Sequence, residues 1–163
     1  ISKIFKIKKK KFVKSLDSFK GLPHRHEIFF NTRNCTFIND SKATSFEAAK
    51  YALNSNDNII WILGGLPKEK DKFFVKKYRG KIIKAYIIGK RPNYFVKQLK
   101  NSIKFEVNRN LNSVIYKVFK SLNNKKTTVL FSPASASYDQ YKSFVDRGEK
   151  FKKLVKLHAK KFH

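Results

Sequence analysis

The residues best suited to chemistry lie where predicted strands end. Asp40 and Lys42 stand two residues apart, between an apolar segment and the start of a predicted helix. A carboxylate accepts hydrogen bonds from hydroxyl groups, and an ammonium beside a helix N-terminus favours an anion. The pattern predicts a site for a ligand that carries both hydroxyls and negative charge. An ordinary helix cap by Thr44 or Ser45 explains the same segment only in part.

A second candidate anion anchor is Lys68, which follows the glycine pair Gly64-Gly65. Its surroundings do not match the Walker A pattern G-x-x-x-x-G-K-[ST], so Lys68 is not predicted to be a P-loop lysine. Residues 132–140 are rich in hydroxyl groups but lack the G-x-S-x-G and S-x-x-K patterns that activate a serine nucleophile. We expect this segment to contact a ligand rather than to attack one.

The four histidines do not predict a metal site. His24 and His26 are spaced to share a strand face, but no cysteine or third ligand stands near them. Structural zinc sites need four ligands, and catalytic sites need three. We expect His158 and His163, near the end of the chain, to be exposed to solvent.

An alternation of helices and strands must position these candidate residues. Apolar spacing predicts helices over 45–55, 72–78, 92–100, 110–122 and 143–161, and strands over 58–63, 81–88, 103–107 and 127–131. A hairpin over 26–31 and 36–39 precedes them. Near-continuous apolar strands are typical of a parallel sheet with helices on both faces. We predict an α/β, Rossmann-like, mostly parallel sheet whose ligands collect outside the carboxyl ends of the strands.

The length and the net charge of the chain limit which class of protein it can be. The chain has 163 residues, enough for one ordinary domain, and a net charge of +27. The charge comes almost wholly from lysine, whereas recognition of nucleic acid favours arginine forks. The aromatic residues at 73, 74, 95 and 119 fall at positions predicted to be core. A basic nucleic-acid-binding module is therefore kept as the alternative function.

The remaining sequence features concern compartment and completeness. The longest apolar run, residues 59–63, is far shorter than the roughly 18 residues that span a bilayer. The single cysteine, Cys35, favours a reducing cytoplasm, and we expect a monomer. Because the chain contains no methionine, we expect it to be a piece of a longer protein. Residues 1–19 predict an amphipathic helix, whose lysine run at 8–11 is typical of a solvated face.

Three segments of the chain match one known family. They are residues 19–27 (Phe-Lys-Gly-Leu-Pro-His-Arg-His-Glu), residues 37–44 (Phe-Ile-Asn-Asp-Ser-Lys-Ala-Thr) and residues 132–140 (Ser-Pro-Ala-Ser-Ala-Ser-Tyr-Asp-Gln). Together they resemble the C-terminal domain of the Mur ligase family, in its D-glutamate-adding type. Members that add later residues usually have an Asp-Tyr-Ala-His type of sequence in place of residues 40–44. The resemblance implies that residues 1–20 end a central ATPase domain and that residues 21–163 form the C-terminal domain.

The resemblance also implies an activity. It is that of an ATP-dependent amide ligase of peptidoglycan synthesis, which adds D-glutamate to UDP-N-acetylmuramoyl-L-alanine through an acyl phosphate. ATP and Mg²⁺ would be needed, with the magnesium ligands in a central domain outside this chain. The chain would then act with its own N-terminal and central domains and be inactive alone. Another amide ligase, such as a folylpolyglutamate synthase, is the nearer alternative.

Residue roles follow from the same resemblance. Arg25 would meet the ATP phosphates, Asp40 would accept from the ribose hydroxyls, and Lys42 would lie between the nucleotide and the amino acid. Lys42 and Lys68 would be the catalytic residues. The expected D-glutamate pocket consists of Thr44, Lys68, Ser137, Tyr138 and Phe144. Ser135 and Tyr138 depart from the family pattern, where Cys and Leu or Phe are common at these positions.

Overall fold

The structure is a computed structural model that describes residues 4–19 and 21–162. Its strands are β1 (Glu27–Asn31), β2 (Cys35–Asn39), β3 (Ile59–Gly64), β4 (Ile82–Ile88), β5 (Phe105–Val107) and β6 (Thr127–Phe131). Its α-helices are α1 (Lys9–Asp17), α2 (Phe46–Asn54), α3 (Pro92–Leu99), α4 (Leu111–Ser121) and α5 (Phe144–Phe162). Each predicted strand from residue 26 onward is present, with its ends shifted by no more than a few residues.

All six strands form one sheet in the order β1-β2-β6-β3-β4-β5. β1 pairs antiparallel with β2, and every other pair is parallel. The mostly parallel sheet is therefore confirmed. From β3 the chain moves outward to β4 and β5, then returns past β3 to β6. The strand order reverses between β3 and β6, which is where ligands bind in open sheets of this class.

Both faces of the sheet are covered by helices. Along β3, Trp61 and Leu63 pack into one hydrophobic cluster, to which α2 and α3 contribute. The alternate residues Ile60 and Ile62 pack into a second cluster, to which α4 and α5 contribute. Alternate side chains of a strand point to opposite faces, so a strand between two helix layers must be apolar throughout.

One predicted helix and one predicted core residue are wrong. The segment 72–78 forms only a short 3-10 turn, Val75–Tyr78, and Phe74 is 67% exposed. Its neighbour Phe73 is buried and stacks on Phe46 with ring centroids 4.4 Å apart. Adjacent side chains of this segment point in opposite directions, so only one of the two rings reaches the core. The aromatic residues at 95 and 119 are buried as expected.

The expectation of an exposed His158 is also wrong. This residue is 6% exposed, stacks on Phe119 at 6.2 Å and lies 3.0 Å from the Asn112 side-chain oxygen through Nε2. It follows Phe151 and Val155 on the buried face of α5 at helical spacing. Burial lowers the pKa of His158, and Lys161 lowers it further. His163 lies outside the described residues.

The first helix is shorter than predicted and has no buried residue. It runs from Lys9 to Asp17, and the large apolar side chains of Phe12 and Leu16 are exposed. Residues 1–3 of the predicted helix lie outside the described part. Assignment of this segment to a preceding domain stays a prediction. Within residues 4–19 and 21–162, no helix is both long enough and apolar enough to cross a membrane.

Side-chain caps start three of the helices in the described part of the chain. Before α5, Ser143 Oγ accepts a hydrogen bond from the Asp146 amide at 3.1 Å. Ser45 Oγ accepts a hydrogen bond from the Ala48 amide at 3.3 Å, as the sequence predicts, and Asn110 Oδ1 accepts from the Ser113 amide at 3.0 Å. Each cap satisfies an amide that has no partner inside its helix. α4 thereby gains a defined start before its buried stretch.

We predict that Asn110→Ala lowers the free energy of unfolding by about 1 kcal/mol, because the Ser113 amide loses its acceptor. Urea denaturation measures the change. The control is Asn54→Ala at the exposed end of α2, which should change stability by less than about 0.5 kcal/mol. Equal losses in both variants would contradict a capping role for Asn110.

Candidate functional site

Four loops meet at the carboxyl ends of the parallel strands. The Asp40 loop (40–45) follows β2, the Lys68 loop (65–72) follows β3, the Lys90 loop (89–91) follows β4, and the Ser137 loop (132–143) follows β6. Leu66 and Ala136 exchange two backbone hydrogen bonds of 2.9 Å. The Lys90 amide donates to the Asp139 carboxylate at 2.9 Å. The Lys68, Lys90 and Ser137 loops therefore form one connected surface.

The close contact between these loops requires glycine at two positions. Gly65 and Gly89 have φ values of +136° and +99°. A Cβ on Gly89 would lie 2.7 Å from the Gly65 nitrogen and 2.9 Å from the Asp139 carboxylate. Any larger residue would force the Lys68 and Lys90 loops apart.

A cleft of about 330 Å³ opens beside the Asp40 loop. Arg25, Asp40 and Lys42, the three residues expected to meet a nucleotide, all line it. The rest of its wall consists of His26, Ala43, Ala48, Tyr51 and Ala52. The cleft thus combines two cations and a carboxylate with an apolar wall, which suits an anionic ligand that has a flat apolar part.

Asp40 is fixed in the floor of this cleft. It is 8% exposed, and its carboxylate accepts from the Ser132 hydroxyl at 2.6 Å and from the His26 amide at 3.1 Å. Burial raises the pKa of Asp40, while these hydrogen bonds and the charges of His26 and Arg25 oppose the rise. A carboxylate has about four acceptor positions, so capacity remains for a ligand hydroxyl.

Arg25 sits at the top of a strained turn. His24 and His26 on either side of it have φ values of +62° and +49°, which non-glycine residues seldom adopt. The His24 amide donates to Glu27 at 3.0 Å, and the His26 amide donates to Asp40. Such strain persists only where surrounding contacts impose it. These contacts place the Arg25 side chain, which is exposed, at the cleft.

Buried polar groups support this turn from below. The Asn39 amide nitrogen lies 2.8 Å from His24 Nδ1 and donates to the Glu27 carboxylate at 2.9 Å. Lys152 of α5 donates to the same carboxylate at 3.1 Å. Burial raises the pKa of Glu27, but hydrogen bonds from His24, Lys152 and Asn39 outweigh it, and the net pKa is lowered. The turn is thereby tied to β2 and to α5.

The structure brings Lys42 and Phe144 together. The Lys42 ammonium lies 3.8 Å from the centre of the Phe144 ring, within the range of a cation–π interaction. The Ser41 hydroxyl donates to the Phe144 carbonyl at 2.8 Å. The Asp40 loop is therefore held against the first residue of α5.

The other predicted site residues lie on adjacent loops. Thr44 is half-buried before α2, whose Phe46 amide donates to Asp71 of the Lys68 loop at 2.6 Å. Lys68 is exposed, and within the described residues its ammonium has no hydrogen bond or ion pair. Ser137 is buried, whereas Tyr138 is 74% exposed. The loops of these residues adjoin, but no hydrogen bond joins their side chains within the described residues, and their roles stay predictions.

Sequence reasoning missed Arg147 of α5, which is 1% exposed. Its Nε donates to the Ser41 hydroxyl at 3.0 Å, and its Nη2 donates to the carbonyls of Ser41 and Ser135 at 2.8 and 3.0 Å. Burial lowers the pKa of Arg147 to about 10. The sequence did carry a signal, because this residue stands at helical spacing from the buried Phe151 and Leu154.

Two further features concern ligands. Across residues 4–19 and 21–162, no group of three or more His, Cys, Asp or Glu side chains is arranged to hold a metal ion.

A larger cavity, of about 520 Å³, lies between the Lys68 loop and α3 and is lined by Pro67, Lys90, Arg91 and Tyr94 among others. It contains none of the site residues predicted from the sequence, so the cleft at Asp40 remains the better candidate.

A substitution at Gly148 tests whether the packing of α5 against His24 supports the turn that carries Arg25. A Cβ there would lie 2.9 Å from His24 Cε1 and 3.1 Å from the Asn39 amide nitrogen, and nearer still to His24 Nδ1. We predict that Gly148→Ala is destabilising, because overpacking costs about 1–3 kcal/mol and exceeds the gain of up to about 1 kcal/mol in helix propensity. Urea denaturation reports the difference. Gly80→Ala, which meets no atom within 4 Å, should not be destabilising; a loss there as large would contradict the contact with His24.

Asp40 should make stability depend on pH. Because burial raises the pKa of Asp40 above its ordinary value of 3.8, ionisation destabilises the fold as pH rises through the raised pKa. In Asp40→Asn the side-chain oxygen can still accept from His26, and its amide can donate to Ser132 Oγ. We predict that the Tm of Asp40→Asn at about pH 7 is equal to or above that of the wild type. At about pH 3, where the wild-type carboxyl is protonated, the Tm of the variant should fall relative to that of the wild type. Asp17→Asn on exposed α1 is the control. A variant less stable than the wild type at both pH values would contradict this.

The sequence has named relatives, although no family model matches it. It is 38% identical over 162 residues to the UDP-N-acetylmuramoylalanine–D-glutamate ligase of Rickettsia felis, covering 98% of this chain and 36% of that protein. The enzyme of the same name from Rhizobium meliloti is 39% identical over 145 residues, covering 87% of this chain and 31% of that protein. The chain thus spans about a third of the length of these relatives.

Solved structures agree on the fold. The MurF ligase of Thermotoga maritima, determined in complex with ADP, superimposes with a TM-score of 0.60 at 15% identity, covering 93% of this chain and 34% of that one. MurC, the UDP-N-acetylmuramate–alanine ligase of the same organism, gives 0.59 at 15% identity, covering 96% and 35%. The chain therefore shares the fold of these solved structures. Its 38% identity to the D-glutamate ligase of Rickettsia felis confirms the resemblance that its three motifs indicate.

Proposed function

We propose that this chain is the C-terminal part of an ATP-dependent ligase that joins D-glutamate to UDP-N-acetylmuramoyl-L-alanine in peptidoglycan synthesis. The observation that carries the proposal is the meeting of Arg25, Asp40 and Lys42 in one cleft, with Phe144 against Lys42. Sequence identity of 38% to a ligase of that name supports the choice of reaction. The division at residues 20 and 21, the cytoplasmic compartment and the monomeric state remain part of the proposal.

The nucleotide would occupy the cleft beside the Asp40 loop. Arg25 and Lys42 supply positive charge for phosphates, and the fixed Asp40 carboxylate can accept from ribose hydroxyls. The Ala48 and Tyr51 wall offers an apolar surface on the other side. The MurF neighbour of known structure contains ADP, which supports a nucleotide here.

The reaction would form one amide bond and split one ATP. The alanyl carboxylate attacks the γ-phosphorus, ADP leaves, and the D-glutamate amine then attacks the acyl carbon. The amine loses a proton, and the carbon–oxygen bond breaks to release phosphate. Lys42, between the two sites, would stabilise the negative charge that develops on the phosphoryl and carbonyl oxygens. Lys68 would hold a D-glutamate carboxylate as a point charge, with Thr44, Ser137, Tyr138 and Phe144 around it.

Magnesium and the triphosphate need groups that we place outside this segment. Mg²⁺ bound to phosphate oxygens would neutralise charge during phosphoryl transfer. The carboxylate of the cleft, Asp40, is already engaged with the Ser132 hydroxyl and the His26 amide. We therefore propose that the magnesium ligands and a phosphate loop belong to a preceding domain, and that the chain alone does not ligate.

The competing functions make different predictions about ligands. A folylpolyglutamate synthase would not select D-glutamate over L-glutamate. A nucleic-acid-binding module would retain DNA affinity at physiological salt, since specific contacts survive where nonspecific charge contacts weaken. Phe73, Phe95 and Phe119 are buried, so their rings are not exposed for stacking on bases, which does not favour that module.

We predict that Lys42→Ala weakens binding of ADP to the 163-residue chain by about ten-fold or more, because a hydrogen bond to a charged phosphate contributes about 1.5–3 kcal/mol. Isothermal titration calorimetry measures the affinity. The matched control is Lys125→Ala, which removes the same charge from the exposed loop before β6, at the opposite edge of the sheet.

Three outcomes would count against the proposal. If Lys125→Ala weakens ADP binding as much as Lys42→Ala does, only the net charge of +27 attracts the nucleotide. If the wild-type chain does not bind ADP at all, the cleft beside the Asp40 loop does not hold a nucleotide by itself. If it instead binds duplex DNA at physiological salt, the nucleic-acid module becomes the better account.

A further inference from the structure

Arg147 is a buried cation that forms no ion pair within the described residues, although the charge of half-buried Asp139 acts on it. Its hydrogen-bond acceptors are one hydroxyl and two backbone carbonyls, with no carboxylate among them. Its third nitrogen, Nη1, is buried and has no hydrogen-bond partner within the described residues. Taking a charge out of water is costly, and well-packed apolar residues are often as stable as or more stable than buried charges. Stability of α5 alone therefore does not account for an arginine here.

One guanidinium reaches the base of three loops. Nε and Nη2 hold Ser41 of the Asp40 loop, and Nη2 also holds Ser135 of the Ser137 loop. Nη1 faces the start of the Lys68 loop, where a Cβ built on Gly65 would lie 3.4 Å from it. These loops carry seven of the predicted site residues or their immediate neighbours, namely Asp40, Lys42, Thr44, Lys68, Ser137, Tyr138 and Phe144.

The contacts of Arg147 continue into the site through Ser41. The Ser41 hydroxyl accepts from Arg147 and donates to the Phe144 carbonyl, and the next residue, Lys42, rests on the Phe144 ring. A displacement of Arg147 would therefore move Lys42 and Phe144 together. Only a planar guanidinium offers several donors in a fixed fork, so lysine cannot reproduce this arrangement.

We propose that Arg147 is a positioning residue that holds the Asp40, Lys68 and Ser137 loops in one relative arrangement. It thereby couples nucleotide binding at the Asp40 cleft to the binding of a dicarboxylate amino acid between the Lys68 and Ser137 loops. The coupling rests on the proposed function, whereas the holding of the loops does not.

Hydrogen exchange in the ligand-free chain tests the holding of the loops. In Arg147→Lys, the amides of Lys42, Leu66 and Ala136 should lose protection together, because their hydrogen bonds to His24, Ala136 and Leu66 depend on fixed loops. The matched control is Val155→Ala, which removes buried volume from the same helix away from the loops. It should lower Tm without a selective loss at these three amides.

Calorimetry tests the coupling. In the wild-type chain, saturating D-glutamate should tighten ADP binding by about five-fold or more, and ADP should tighten D-glutamate binding by the same factor. Arg147→Lys should reduce the factor towards one, and Val155→Ala should leave it unchanged. Ser41→Ala, which keeps the guanidinium but removes the hydroxyl between Arg147 and Phe144, should reduce it in part. If Arg147→Lys fails to fold, the coupling factor measured in Ser41→Ala tests the proposal instead.

Each outcome decides between two claims. If both ligands bind to the wild type and the coupling factor survives in Arg147→Lys and Ser41→Ala, the role of Arg147 is wrong while the proposed function stands. If the wild type binds neither ligand, this chain does not hold both sites by itself and the coupling fails, while hydrogen exchange still judges the holding of the loops. Equal loss of protection in Arg147→Lys and Val155→Ala would show that Arg147 only stabilises the fold.

Discussion

Parallel pairing of β2, β6, β3 and β4 is the constraint on which the rest of the molecule depends. It places four carboxyl ends at one edge, so the loops that follow them must share a small area. Covered on both faces by helices, these strands are mostly apolar, and most of the buried polar side chains lie at or near that edge. The edge therefore contains a concentration of buried polar groups, including Asn39, Asp40, Ser41 and Ser132. The candidate site follows from the topology before any ligand is considered.

Contacts with helix α5 fix the positions of the loops at this edge. Gly148 admits the His24 ring beneath the Arg25 turn, while Arg147 and Phe144 hold the Asp40 loop. The same helix buries Phe151 and Val155 in the core farther along. Apolar packing thus fixes the helix, and the polar residues of its first turns fix the loops. A shift of α5 would therefore displace Arg25 and Lys42 together, although neither residue belongs to the helix.

The sequence predicted most of the fold because its strongest signal, apolar periodicity, reports directly on burial. Segments 58–63 and 127–131 became central strands, and Ser45 became a cap. The signal was weakest where tertiary contacts choose between equivalent residues, as with Phe73 and Phe74. Asp40 and Lys42 were singled out because they are charged residues between a strand and a helix, whereas Arg25 came only from the family resemblance. Sequence reasoning missed Arg147, because an arginine inside a lysine-rich helix looks like one more solvated charge until its burial is known.

Local placement of charge is more informative about function than the net charge of +27. The chain has only 11 acidic residues, and Glu27, Asp40, Asp71 and Asp139 all lie at or beside the loop edge. Each accepts a backbone hydrogen bond there, from His24, His26, Phe46 and Lys90 respectively. A surface built to attract a polyanion by charge alone would gain from losing these carboxylates. Their use in positioning Arg25, the start of α2 and the Lys90 loop instead indicates a site shaped for a small ligand of mixed charge.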